Sequence, residues 1–241
     1  MPKDLSRPAG LVGTFYTTIH RRMAHLGETP TNLSFRKWLT SSFPSPKSLR
    51  VLDVGCGVHG VNARACIKHG FTQVSAVDNN PDAIVAGADI RCTFGSAMSL
   101  PFDDHFFDLT VCTGVVHHIS DPQKVFNELR RVTKIGGKVY ISLYAFRDSP
   151  FEYIVRSWRY LGRLFPYRWA HALLGRVAVF NNFIFDHTYV PILLLYSAEE
   201  AHGALKSSGL ALEADWVEEF DVLHRFRLTG DGLLRVFVCT V

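Results

Sequence analysis

Long hydrophobic runs are missing from this sequence. Its most apolar stretch, VPILLLY at residues 190–196, is far too short to span a bilayer. The first ten residues, MPKDLSRPAG, lack the continuous apolar core of a secretory signal. Cysteine is scarce too. Cys56, Cys66, Cys92, Cys112 and Cys239 form no Cys-x-x-Cys pair and no finger spacing, which argues against a zinc site or a disulfide framework. An odd number of thiols, mostly within apolar segments, suits a reducing compartment. Charge of either sign is in small excess: 26 Lys and Arg against 22 Asp and Glu give +4, too little to argue for nucleic acid. The eleven histidines are scattered, and His117 and His118 are adjacent rather than on one helix face, so no metal set is expected. Internal repeats and low-complexity tracts are also absent. What these absences leave is a cytoplasmic chain of 241 residues, able to bury a full core as one domain.

What is present begins with a helical preface over residues 1–48. FYTTIHRRMAHLG and NLSFRKWLTSSF carry apolar residues at three- and four-residue steps, separated by GETPTN. From Arg50 to Tyr144 strands and helices alternate. LRVLDV, QVSAVD, IRCTFGSA, FDLTVCTG and KVYISLY read as strands; NARACIKHG, NPDAIVAGA and SDPQKVFNELRRVTKIGG read as helices. The last of these is expected to start at a Ser120 or Asp121 cap and to stop at Gly136-Gly137. Such alternation predicts an α/β fold with a parallel, doubly wound sheet. An aromatic, basic insertion follows over residues 145–196. SAEEAHGALKSSG then carries the Ser197…Glu200 spacing of a capping box. ALEADWVEE and LRVFVCTV read as two closing strands.

The stretch VLDVGCGVHG satisfies the G-x-G-x-x-G fingerprint of dinucleotide sites. A strand running into glycines and then a helix brings backbone N–H groups close to a polar ligand. Asp78, 21 residues after Gly57, ends the second strand, where an acid accepts ribose hydroxyls of any adenosine cofactor. Asp53 separates the alternatives. Placed before the glycines it repels a pyrophosphate but suits a cationic amino-acid group.

Four stretches in register carry a family resemblance: VLDVGCG, VSAVDNNPDAI, GSAMSLPFDDHFFDLTVC and GVVHHISDPQKVFNELRRVTKIGGKVYIS. Together they resemble the class I S-adenosylmethionine-dependent methyltransferases, most closely the branch of the ubiquinone and menaquinone enzymes. The resemblance implies a Rossmann-like sheet of seven strands, the last antiparallel, in a methyltransferase domain over residues 49–241. It implies S-adenosylmethionine as cofactor, with Asp53, Gly55, Cys56 and Gly57 around its methionine part. Asp78 would hold the ribose, Asn79 would lie beside the adenine, and Ser96 and Ala97 would meet the adenine edge. Thr113 and Gly114 would line the fourth-strand side. The chain departs from the family pattern twice: Ser96 stands where an acid or amide is usual, and His59-Gly60 replaces a glycine two residues after Gly57, which predicts a longer turn.

Methyl transfer to a hydroxyl or carbon acid gains from a general base, whereas an amine attacks directly. His117, His118, His187, Asp186 and Tyr16 are the candidates, with His118, His187 and Tyr16 favoured. In EYIVRSWRYLGRLF, Ile154, Trp158, Leu161 and Phe165 fall on one helical face, expected to pack inward, with Arg156, Arg159 and Arg163 opposite in solvent. The insertion is then a helical cap, a lid over an apolar acceptor, or, through residues 151–180, a surface resting on anionic lipid. The expected reaction is methylation of a small, hydrophobic acceptor at oxygen or carbon. A non-methylating cyclase of secondary metabolism and a protein or RNA methyltransferase are the alternatives.

Overall fold

The computed structural model describes residues 3–4, 30–57, 59–80, 90–145, 147–164, 169, 185–218 and 234–241. The helix expected over 15–27, nearly all of that over 80–88 and the second insertion helix lie outside the described residues. Helix α1 (Pro30–Ser42) precedes strand β1 (Arg50–Val54), helix α2 (Val61–His69), β2 (Gln73–Asp78), β3 (Ile90–Phe94) and β4 (Phe107–Thr113). A 3-10 turn at Val116–His118 leads to α3 (Pro122–Val132) and β5 (Thr133–Tyr144). Then come α4 (Pro150–Leu164), α5 (Phe185–Tyr189), α6 (Ala198–Ser207), β6 (Ala211–Val217) and β7 (Leu234–Thr240).

Seven strands form one sheet in the order β3-β2-β1-β4-β5-β7-β6. The first five are parallel, and β7 runs antiparallel to both β5 and β6. The order reverses between β1 and β4. Loops leaving the carboxyl ends of those two strands turn away from each other and open a crevice there, the position where such sheets take ligands. Strand alternation supplies both faces with apolar residues. Leu52, Val54, Cys112, Val139 and Ile141 pack with α3 and α6 residues such as Phe126, Leu129 and Leu205. Val51, Val74, Ala76, Leu109 and Val111 pack with Phe35 and Leu39 of α1 and Ala63 and Cys66 of α2. Asp53 has the parity of Val51, so its carboxyl group lies on the α2 side.

Helix α3 begins as expected, with Asp121 capping the Lys124 N–H at 3.3 Å and Pro122 in the first turn. Its end differs from the expectation. The helix stops at Val132, and β5 already contains Gly136 and Gly137. Thr133 explains the early stop: it is extended, pairs with Phe107, and turns its hydroxyl to Leu129 O (2.6 Å) and to Thr110 Oγ1 (2.7 Å). The glycines then form a bulge. Gly136 has φ +77° and its N–H donates to Val241 O at 2.8 Å, while a Cβ at Gly137 would lie 2.8 Å from Lys134 O.

Candidate cofactor and acceptor site

The β1–α2 turn is built from glycines with different reasons for being glycine. Gly55 has φ +73°, and a Cβ there would meet Val115 Cγ2 at 2.2 Å. Gly57 has φ +60°, and a Cβ there would meet nothing within 4 Å. The first position is fixed by close packing; the second opens onto space. Gly60, in the left-handed region at φ 52°, is the cap residue from which α2 departs, so the third glycine of the stretch serves helix entry, and His59 is exposed. Cys56 uses its main chain inside the turn: its N–H donates to Val77 O (3.3 Å) and its carbonyl accepts from Gly60 N (3.1 Å). Its buried thiol lies 4.0 Å from Cys92 Sγ. Cys56 therefore shapes the turn.

Asp53 is 1% exposed, and its Oδ2 accepts the Ala63 N–H at 3.0 Å, in the first turn of α2. Oδ1 is buried and accepts no hydrogen bond among the described residues. Burial lifts this carboxyl from its ordinary 3.8 to about 7. The Ala63 N–H and the neighbouring Asn62 amide pull the other way, and Asp78 adds a smaller upward push. The Asn62 amide itself donates to Thr113 Oγ1 at 2.7 Å, tying β4 to α2 across the crevice. A buried carboxylate with an unused oxygen is stabilised by a cation. The ammonium of a bound methionine group has that charge, and together with the open space at Gly57 the residues present fit S-adenosylmethionine.

Asp78 holds the rim of the turn. Its Oδ2 accepts the Gly57 N–H at 2.9 Å and its Oδ1 the Asn80 N–H at 2.8 Å. Asn79 beside it is exposed. Ser96 follows β3 and accepts the Met98 N–H at 3.2 Å, with Ala97 half-buried next to it. On the β4 side Gly114 has φ +73° with open space at its Cβ position, and its N–H donates to Ser142 Oγ at 3.1 Å. Every cofactor residue expected from the sequence thus lies at the carboxyl ends of β1–β4. Sequence reasoning missed Asn62 and Ser142, whose partners Thr113 and Gly114 are distant in the chain; only Asn62's place in the first turn after the glycines hinted at it.

Beyond β4 and β5 the structure gathers four rings. His117 is fully buried, stacks on Tyr144 (3.8 Å, 27°), and accepts the Tyr144 N–H on Nδ1 at 3.3 Å. Burial, then the neighbouring His118 and His187, hold it well below the ordinary histidine value, so it is neutral. His118 is half-buried, with its ring 4.2 Å from that of His117, and its Nδ1 lies 2.9 Å from Ile192 O. A carbonyl only accepts, so this nitrogen carries a proton, and in the neutral ring Nε2 is the nitrogen with the lone pair. His187 is buried with its ring 4.8 Å from Tyr144. Tyr144, at the end of β5, is the member the sequence reading did not single out. Tyr16 and the Asp186 side chain lie outside the described residues.

Helix α4 turns a neighbouring face inward, rotated by about a quarter turn from the one expected. Phe151, Glu152, Val155 and Arg159 are buried, whereas Ile154 and Leu161 are exposed and Trp158 is half-buried. The cause is Arg159, whose guanidinium finds main-chain acceptors inside: His187 O at 2.8 Å and Pro191 O at 3.4 Å. Rotating the helix to meet them leaves Tyr153, Tyr160 and Leu164 outside as well. No described helix is long and apolar enough to cross a membrane.

Residues 52–141 match the family described as methyltransferase domain. That match places a methyltransferase domain on the stretch from β1 to β5. Over 115 residues the chain is 30% identical to norajmaline N-methyltransferase of Rauvolfia serpentina, covering 44% of this chain and 39% of that one. Over 133 residues it is 29% identical to demethylmenaquinone methyltransferase of Renibacterium salmoninarum, covering 51% of this chain and 55% of that one. The chain thus spans about two-fifths of the first relative's length and a little over half of the second's. The two relatives stand at nearly equal identity, so the menaquinone-type branch is not singled out. In fold, magnesium protoporphyrin IX methyltransferase of Synechocystis superposes with a TM-score of 0.63 at 14% identity, covering 95% of this chain and 96% of that one.

Proposed function

We propose that this protein transfers a methyl group from S-adenosylmethionine to a small, apolar or aromatic acceptor, at oxygen or carbon. The observation that carries the cofactor half is the buried Asp53 carboxyl, one oxygen without a hydrogen bond among the described residues, beside the open position at Gly57. Asp53 would hold the ammonium end, Asp78 the ribose, and Ser96 and Ala97 the adenine edge. S-adenosylmethionine, when bound, supplies a methyl group on positively charged sulfur and leaves as S-adenosylhomocysteine.

The acceptor half is supported by the rings of His118, Tyr144 and His187 beyond β4 and β5, and by relatives named for norajmaline and demethylmenaquinone. His118 is the base in this reading: its Nε2 receives the proton that an acceptor hydroxyl or carbon acid gives up. His187 and Tyr16 are the next candidates. Residues 1–48 form a cap in this reading and residues 145–196 a lid over the acceptor.

The first experiment is calorimetric titration with S-adenosylmethionine and, separately, with a nicotinamide dinucleotide, with Asp78→Ala as control. Binding of the first alone, lost in the variant, supports the cofactor; binding of the dinucleotide, or of neither, overturns it. A screen of phenols, quinones and polycyclic amines follows. His118→Asn should cost roughly 10²–10⁴-fold on acceptors that must lose a proton and little on free amines. Cofactor binding with no turnover across the screen would favour a non-methylating enzyme.

A further inference from the structure

The buried Arg159 and the tautomer of His118 belong to one arrangement. Arg159 is 5% exposed on a helix whose neighbouring Arg156 is in solvent. Burying a guanidinium is costly, and here it binds the main chain at His187 O and Pro191 O. The residue after Pro191 is Ile192, whose carbonyl accepts from His118 Nδ1, 74 positions earlier in the chain. That carbonyl decides which imidazole nitrogen is basic. Unbonded, a neutral histidine exchanges its proton between both nitrogens; bonded as seen, it keeps Nε2 unprotonated. The segment is tied further through Leu194–Leu195, which pair antiparallel with Lys3–Asp4, and through the Tyr196 N–H, which donates to Tyr144 O at 3.0 Å.

We propose that Arg159 is a positioning residue for methyl transfer: by clamping the main chain at 187–191 it presents the Ile192 carbonyl to His118 and so fixes the tautomer in which Nε2 can take a proton. The inference rests on His118 as the base. It makes assembly of the base conditional on the docking of α4, because the clamp is on that helix and the carbonyl is on the segment that leaves the insertion. A histidine held only by its own turn would not depend on α4 at all.

The test is the ring ¹⁵N spectrum of His118, assigned by comparison with His118→Asn, in the full-length protein and in Arg159→Met and Arg159→Gln. The parent should show a single tautomer with the proton on Nδ1. Arg159→Met should show a mixture that includes the Nε2–H form, and Arg159→Gln, which keeps one donor, an intermediate. Calorimetric binding of S-adenosylmethionine should remain within about twofold in both, since neither carbonyl lies on the cofactor turn. An unchanged Nδ1–H tautomer in a folded Arg159→Met overturns the proposal; if that variant fails to fold, an unchanged tautomer in Arg159→Gln overturns it equally. A failure of the base itself is distinguishable. His118→Asn would then keep full turnover on a phenolic acceptor, whatever the spectra of the Arg159 variants show.

Discussion

Replacing Asp53 by Asn removes a buried charge while keeping the side chain's shape, and its consequences should depend on pH. The folded carboxyl titrates near 7 and the unfolded one near 3.8. Between those values the folded state holds a proton that the unfolded state has lost, so stability falls as pH rises toward 7 and the loss is complete above it. Thermal melts of the ligand-free protein should therefore find Asp53→Asn more stable than the parent by about 1–4 kcal/mol at pH 8 and nearly equal at pH 4. Cofactor binding should behave oppositely. The parent's affinity for S-adenosylmethionine should drop about tenfold per pH unit below 7, as protons compete for the carboxylate, and the variant should bind weakly at every pH. The glycines of the turn separate in the same assays. Gly57→Ala should cost about 1 kcal/mol of stability for its positive φ but raise the cofactor Kd tenfold or more, by filling open space. Gly55→Ala drives a methyl into Val115 and should be the more destabilising of the two in melts.

At the scale of elements, α6 and α3 show how local chemistry sets boundaries that the site depends on. In α6 both halves of the capping box are made, with Ser197 Oγ accepting from Glu200 N (3.2 Å) and Glu200 Oε2 from Ser197 N (3.0 Å). Ser197→Ala should lower stability by about 1 kcal/mol without altering cofactor affinity, a comparison of melt and titration. Arg131 in the last turn of α3 donates to Leu100 O (2.9 Å) and Phe102 O (2.8 Å), and pairs with Glu128 and Asp104. It thereby pins the loop between β3 and β4 that carries Ser96 and Ala97. Arg131→Met should weaken cofactor binding several-fold through that loop, although no atom of Arg131 is placed at the ligand. Strand and helix identities in this region were legible because period and caps are local signals. The end of α3 was not, since Gly136-Gly137 read as a stop only until the sheet register at Phe107 and Thr133 was known.

For the whole molecule, the crevice exists because the sheet order reverses between β1 and β4, which places residues from the first and fourth strands opposite one another. A ligand that fills it joins both halves of the sheet. Saturation with S-adenosylmethionine at a hundred times its Kd should therefore raise stability by about 2.7 kcal/mol, read as a shift in the melt. The sequence by itself determined the alternating architecture and the position of the glycine turn between the acids at Asp53 and Asp78, because these rest on periodicity and on motifs within a few residues; Thr113 and Gly114 came from the family resemblance alone. Tertiary structure alone decided which face of α4 is buried, since the carbonyls that Arg159 seeks are 28 and 32 residues away and no helical pattern records them. It also decided that Tyr144 joins the histidines and that Ile192 sets the His118 tautomer. Those are contacts between distant segments, and hydrogen-bond partners at such separations are fixed by packing, which a one-dimensional pattern does not contain.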